Sequence, residues 1–204
     1  MKMSLNGVII GVDEAGRGPL AGPVVASAVR LVPSYTKLGM LNQLADSKSL
    51  SHRKRKELMV DIYKHSQVSI GIAEPGEIDA INILQATMMA MTRALDALSP
   101  IDGDIRIDGN QLPKAYADKA SAVVGGDRTV AAISAASIIA KTYRDNLMAC
   151  AARRFTLYNF ATHKAYGTKL HKQILEKAGP SPIHRLSFRP IKSLEYLIFE
   201  NRSQ

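Results

Sequence analysis

The apolar pattern begins at Val8-Ile9-Ile10, an unbroken run that predicts a buried strand over residues 7–12. A second run, PVVASAVRLV, predicts a strand over 23–32, followed by a polar, turn-rich connection over 33–50. Ser51 stands where an N-cap belongs, ahead of a helix reaching about His65. The alternation of QVSIGIA predicts a third strand over 67–73, broken by Pro75-Gly76. IDAINILQATMMAMTRALDAL reads as a long helix over 78–98 whose methionines fill core. Ile105-Arg106-Ile107 and Ala122-Val123-Val124 are short strands, ended by Asp108-Gly109-Asn110 and by Gly125-Gly126-Asp127. An alanine- and isoleucine-rich helix follows from about Arg128 to Arg153, with Cys150 expected to pack in the core. The tail is helical in pieces, one stopped by Gly179-Pro180 and a last one predicted over 191–200.

Strands joined partly by hairpins and partly by helices predict a mixed sheet covered by helices, in one α/β domain. The 204 residues are enough for one sizeable core. Hydrophobic content of 46% and charged content of 22% are those of a globular protein. No apolar run approaches the roughly 20 residues that span a bilayer, and MKMSLNGVII lacks a secretory pattern. A cytoplasmic protein without a membrane partner is therefore expected. The single cysteine excludes an internal disulfide and a thiolate-rich metal centre.

Charge changes this picture through its distribution. Through residue 140 the chain carries 15 Lys and Arg against 14 Asp and Glu; beyond it, 12 against 4. Aromatic residues are interleaved with the cations of this last third, as in Arg154-Phe155 and Lys164-Ala165-Tyr166. Such a surface suits a polyanion, nucleic acid above all. The shorter cluster from His52 to Lys56 is read equally well as a solvated helix face.

Acidic residues recur where apolar strands stop: Asp13 and Glu14, then Asp108, then Asp127. Carboxylates at strand ends can converge over one end of a sheet. Hard divalent cations take such oxygen ligands, and two ions about 4 Å apart can activate water and stabilise the leaving oxygen of a phosphoryl displacement. Each residue also has a plainer reading. Asp127 resembles a helix cap, and Asp108-Gly109 a common turn. Asp13 and Glu14 would face opposite sides if their strand continued, so a shared site requires the chain to turn, as Gly16 and Gly18 permit. Asp145 is a rival fourth ligand. It lies about 27 Å from Asp127 on one continuous helix, so only one of the two can serve, and Asp127 is chosen for its strand–helix junction.

The motifs GVDEAGRGPLAGPVV, LADSKSLSHRKRKEL, IDAINILQATMMAM, IRIDGN, GGDRTVAAISAASIIAKTYRD, HKAYGTKLH and HRLSFRPIKS, in this order, resemble bacterial ribonuclease HII, the type 2 ribonuclease H, along nearly the whole chain. The resemblance implies a ribonuclease H-like fold, with a five-stranded mixed sheet flanked by helices and a helical C-terminal extension. As domains it implies one catalytic unit over 1–204, with 155–204 as the basic extension. It places the family's acidic metal ligands, which are also its catalytic residues, on Asp13, Glu14, Asp108 and Asp127, with Mg²⁺ or Mn²⁺ in a two-metal site. It places the 2′-hydroxyl-reading loop on Gly16, Arg17 and Gly18, the substrate-sensing tyrosine on Tyr166, and a backbone-phosphate contact on Lys48. The implied substrates are RNA–DNA hybrids and duplex DNA containing ribonucleotides, cut by a monomer on the 5′ side of the ribonucleotide to leave 3′-hydroxyl and 5′-phosphate ends. Two positions depart from the pattern: Ala165 precedes Tyr166 where glycine is usual, and Arg189 replaces a glycine near the end.

Three other readings compete. A metal-free ribonuclease would draw an acid–base pair from His163, His171 and His184. A non-enzymatic binding module would explain the charge but not four carboxylates beside it. Another metal nuclease of the same fold, such as a junction resolvase or integrase, would not need a 2′-hydroxyl sensor.

Overall fold

The computed structural model describes residues 7–31, 44, 51–98 and 101–193. Lys48 and most of the helix predicted over 191–200 lie outside them. Five strands, β1 (Ile9–Ala15), β2 (Val24–Leu31), β3 (Ser66–Ala73), β4 (Asp104–Asp108) and β5 (Ala120–Val123), form one sheet in the order β3-β2-β1-β4-β5. The first three pair antiparallel, whereas β4 joins β1 and β5 in parallel, so the sheet is mixed as expected.

Helix α1 (His52–His65) precedes β3, and Ser51 caps it by accepting from the Lys54 amide at 3.3 Å. Helix α2 (Pro75–Ala97) begins three residues earlier than predicted. Pro75 ends the strand pattern but also occupies the first helical turn, where its missing N–H costs nothing. The Glu74–Glu77 capping box completes that start. Inside α2 the chain kinks at Asn82, with φ 68°, and the Asn82 carboxamide caps the resumed helix through the Leu84 and Gln85 amides.

The long helix predicted from Arg128 is two elements, α3 (Gly126–Thr129) and α4 (Ala131–Arg154), separated by extended Val130. Two short helices follow, α5 (Phe160–His163) and α6 (Lys169–Ala178), the latter ended at Gly179 as predicted. Cys150 is exposed on α4, contrary to expectation: it shares its helix face with the exposed Asn146, Arg153 and Arg154.

Alternate residues of β1 feed two cores. Ile10 and Val12 pack with Val24, Ala26 and the α2 residues Ala90 and Met91. Ile9 packs on the other face with Val29, Leu58 of α1 and Ile133 and Ile139 of α4. Gly11 is required here, because a Cβ would overlap the α4 backbone at Ala132. This close approach suits the small residues that open α4, among them Ala131, Ala132, Ala135 and Ala136. A third core packs the segment that follows α4 against the rest: Leu20, Met148, Tyr158, Phe160, Ala165 and Leu175. Burying a large apolar side chain contributes about 1.5–3 kcal/mol, so Phe160 and Leu175 anchor that segment firmly.

Candidate active site

The carboxylates gather where β1 and β4 end. Their parallel pairing runs to Val12 opposite Ile107, which makes Asp13 and Asp108 the next residues on neighbouring strands. Contrary to the expected turn, β1 continues through Asp13 and Glu14 to Ala15. The two carboxylates still feel one another and Asp108, because β4 stops pairing with β1 at Val12 while β2 continues on the other side. Asp13 is buried and takes hydrogen bonds from the Glu14 amide, at 2.7 Å, and from Ser137 of α4. Glu14 reaches past the sheet end and meets Arg17 Nη1 at 3.3 Å. Asp108 accepts from the Asp127 amide at 3.3 Å, which brings the backbone of residue 127 to the same end. Asp127 is not the cap of α3; that position is Gly125, in the left-handed region. Asp145, the rival ligand, is instead paired with Lys141 at 2.7 Å.

Burial pushes the Asp13 carboxyl well above the ordinary range, and the charges of Glu14 and Asp108 add to the rise. Glu14 is raised chiefly by burial as well, with Arg17 opposing and Asp108 reinforcing it. Crowded, partly desolvated carboxylates of this kind fit a hard divalent cation: the donors are all oxygen, and a cation would relieve their repulsion. Among the described residues no three such side chains already enclose one point. Glu14 is directed to Arg17 and Asp108 to an amide, so closing on an ion requires side-chain rotation.

On the other side of Glu14 opens a cleft of about 330 Å³, bordered by Gly16, Arg55, Ser137, Lys141 and Tyr166. Tyr166 is exposed, and its Cε1 lies 3.8 Å from the point where a Gly18 Cβ would be. The Gly16–Gly18 loop and Tyr166, 148 residues apart at Gly18, thus meet over the cleft. A family model, Ribonuclease HII, matches residues 10–191. The chain belongs to the ribonuclease HII family. It is 52% identical to ribonuclease HII of Maricaulis maris over 91% of this chain and 83% of that protein. It is 48% identical to that of Sphingopyxis alaskensis over 92% of each. Membership in the ribonuclease HII family makes the chain a metal-dependent nuclease that cleaves RNA in RNA–DNA hybrids and acts in ribonucleotide excision. The fold matches ribonuclease H2 of Pyrococcus horikoshii, with TM-score 0.78 and 24% identity over 95% of this chain and 99% of that one. It also matches Bst-RNase HIII solved with Mn²⁺, with TM-score 0.74 and 18% identity over 93% and 70%. No helix among the described residues is long and apolar enough to cross a membrane.

The histidines do not form an acid–base pair. The Ser181 amide donates to His184 Nδ1 at 2.8 Å, so His184 carries its proton on Nε2 and donates to His171 Nε2 at 3.0 Å. His171 must then be protonated at Nδ1, which donates to the Tyr166 carbonyl at 3.0 Å. His163 accepts from the Ala165 amide and donates to the Tyr158 carbonyl. Each ring is neutral and committed to protein partners, which removes the metal-free alternative.

Sequence reasoning missed Ser137, and it read Arg144 as a phosphate contact or a helix-surface charge and Arg185 as part of the basic surface, whereas both are buried. Arg144 lies four residues from both Ala140 and Met148, which places it on the buried face of α4. Arg185 has no comparable signal, since it lies outside any regular element. Ala165 is in the left-handed region, with φ 67°, which explains why glycine suits that position; here Ala165 is buried and its carbonyl accepts from the Leu20 amide at 2.8 Å. Arg189 is exposed.

Proposed function

We propose that Asp13, Glu14, Asp108 and Asp127 are the metal ligands and catalytic residues, holding two Mg²⁺ or Mn²⁺ ions. When bound, such ions lower the pKa of water and offset charge on phosphate oxygens. Bst-RNase HIII, whose fold this chain shares, was solved in complex with Mn²⁺. The chain's own contribution is to position the ligands. Ser137 and the Glu14 amide orient Asp13, and Arg17 keeps Glu14 at the sheet end.

The observation that carries the substrate reading is the contact region of Gly18 with Tyr166 beside Glu14. The 2′-hydroxyl distinguishes RNA from DNA, and this pair of loops offers backbone amides and a phenol ring to read it. Water, rather than that hydroxyl, attacks phosphorus. The P–O3′ bond breaks, O3′ leaves with a proton, and the cut lies on the 5′ side of the ribonucleotide, with 3′-hydroxyl and 5′-phosphate ends. Duplex DNA carrying a single ribonucleotide is a substrate together with the hybrid. Lys48 and the basic extension contact backbone phosphates without reading sequence. The protein acts in the cytoplasm as a monomer, with 1–204 one catalytic domain and 155–204 its extension.

Three labelled duplexes, with no ribonucleotide, one, or several, test this when each is incubated with Mg²⁺, Mn²⁺ or EDTA and the cut is mapped. Cleavage of the second and third only, 5′ of the ribonucleotide and abolished by EDTA, is expected. Equal cutting of all-DNA duplex would refute the 2′-hydroxyl sensor, and activity in EDTA would refute the metal ligands.

A further inference from the structure

Two arginines are almost completely buried behind the Gly16–Gly18 loop, Arg144 at 1% exposure and Arg185 at 0%. The hydrogen bonds of both guanidinium groups go to backbone carbonyls. Arg185 donates to the Gly16 carbonyl at 2.6 Å, the Arg17 carbonyl at 3.0 Å and the Gly22 carbonyl at 2.9 Å. Arg144 donates to Ala21, Pro23 and Lys164 at 3.0–3.2 Å. Burying two like charges in one region is costly. Burial and the neighbouring Arg144 bring the Arg185 guanidinium down to about 9. The core itself does not require this arrangement, since apolar side chains fill such space more favourably.

The geometry of the peptide unit supplies a reason. In a planar trans peptide the carbonyl of one residue and the N–H of the next point in opposite directions. Drawing the Gly16 and Arg17 carbonyls inward therefore turns the Arg17 and Gly18 amides away from Arg185. Arg17 and Gly18 are the exposed residues of the loop, and Gly18 is the one beside the Tyr166 ring. Among the described residues neither amide has a protein acceptor. Arg144 fixes the opposite end, lying so close under Gly16 that any Cβ there would overlap its side chain. Through the Lys164 carbonyl it also ties this loop to the segment that carries Tyr166.

We infer that Arg185 is a positioning residue for ribose recognition: it aims the Arg17 and Gly18 amides at the 2′-hydroxyl and adjoining phosphate of the ribonucleotide, with Arg144 locking the same loop to the Tyr166 segment. This rests on the proposal that Gly16–Gly18 reads ribose.

The test compares Arg185→Lys and Arg185→Gln with Gly18→Ala, on a duplex containing one ribonucleotide. Lysine keeps the charge but cannot span three carbonyls, and glutamine keeps one donor without the charge. The expected result is a fall in kcat of about 10–100-fold for both Arg185 variants. KM should change less than about threefold, because the basic surface holds the duplex, and the Arg17 and Gly18 amide resonances should shift in the free protein. A kcat within threefold of wild type, or unmoved amide resonances, overturns the inference. Gly18→Ala separates the two claims: if it cleaves normally, the ribose-reading loop itself is wrong. If it fails while Arg185→Lys cleaves normally, only the role of Arg185 is wrong. Should neither Arg185 variant fold, hydrogen exchange of the wild type decides. A protected Arg185 guanidinium with fast-exchanging Arg17 and Gly18 amides supports the inference, and slow exchange of those amides overturns it.

Discussion

The carboxylate end of the sheet and the polar network behind it solve the burial of charge in opposite ways. Behind the cleft, His171, His184, Arg144 and Arg185 are deeply buried, and every one is matched to carbonyls, amides or another ring. At the sheet end, Asp13 and Glu14 are crowded with Asp108, and their repulsion is only partly offset by Arg17 and Ser137. A satisfied network holds a shape; an unsatisfied one stores affinity for whatever relieves it. On the function proposed above, the first holds the Gly16–Gly18 and Tyr166 loops in place and the second receives the cations.

The sharpest break between the two regions comes from neutralising one carboxylate. Asp108→Asn should lower kcat for hybrid cleavage at least 10³-fold, about 4 kcal/mol of barrier, while duplex affinity, measured by filter binding or anisotropy, stays equal or tightens. Next comes the loop shared by both regions. Gly16→Ala must accommodate φ 99° and a Cβ in the space of Arg144, so a loss of about 3 kcal/mol or more is expected in denaturant unfolding.

Acid should weaken the satisfied network. Burial, with His171 adding to it, lowers the His184 pKa from an ordinary 6.5 to about 4. The unfolded chain therefore binds a proton first as pH falls. The stability contribution is full above about pH 6.5 and is lost progressively towards pH 4. His184→Gln should flatten that slope in urea titrations, whatever it does to absolute stability.

Asp13→Asn should move stability the other way. The Asp13 carboxyl is raised in the folded state, so its ionisation opposes folding near neutral pH. The amide keeps an oxygen for the Glu14 amide and removes the repulsion, giving a gain of about 1 kcal/mol and a higher Tm with no cleavage. The smallest change is Ala165→Gly. Relief of the left-handed backbone, worth about 1–2 kcal/mol, outweighs loss of one buried methyl, so unfolding should show a net gain below about 1 kcal/mol.

Much of this was legible in the chain. The strands showed as apolar runs and the α1 start as a serine cap, because periodicity and capping are local properties. The four carboxylates showed because each follows an apolar stretch. The limits were equally physical. Nothing local says that β1 runs on through Asp13 and Glu14, since that depends on β2 pairing Asp13 with Ser27 and Glu14 with Ala26. The division of the helix after Asp127 was likewise invisible, because a single extended residue at Val130 leaves the alanine-rich pattern unchanged.

By itself, then, the sequence determined the element types, the acidic strand ends, the basic tail and a family resemblance carried by ordered motifs. Only the tertiary structure decided which groups are satisfied and which are not. It assigned the three histidines to fixed neutral roles, sent Arg144 and Arg185 to carbonyls from 16 to 23 and 164, and brought Tyr166 against Gly18. The physical reason is that burial and hydrogen-bond partnership come from contacts between residues distant in the chain. Local patterns report which groups are present, and the packed fold sets which of them remain free to act.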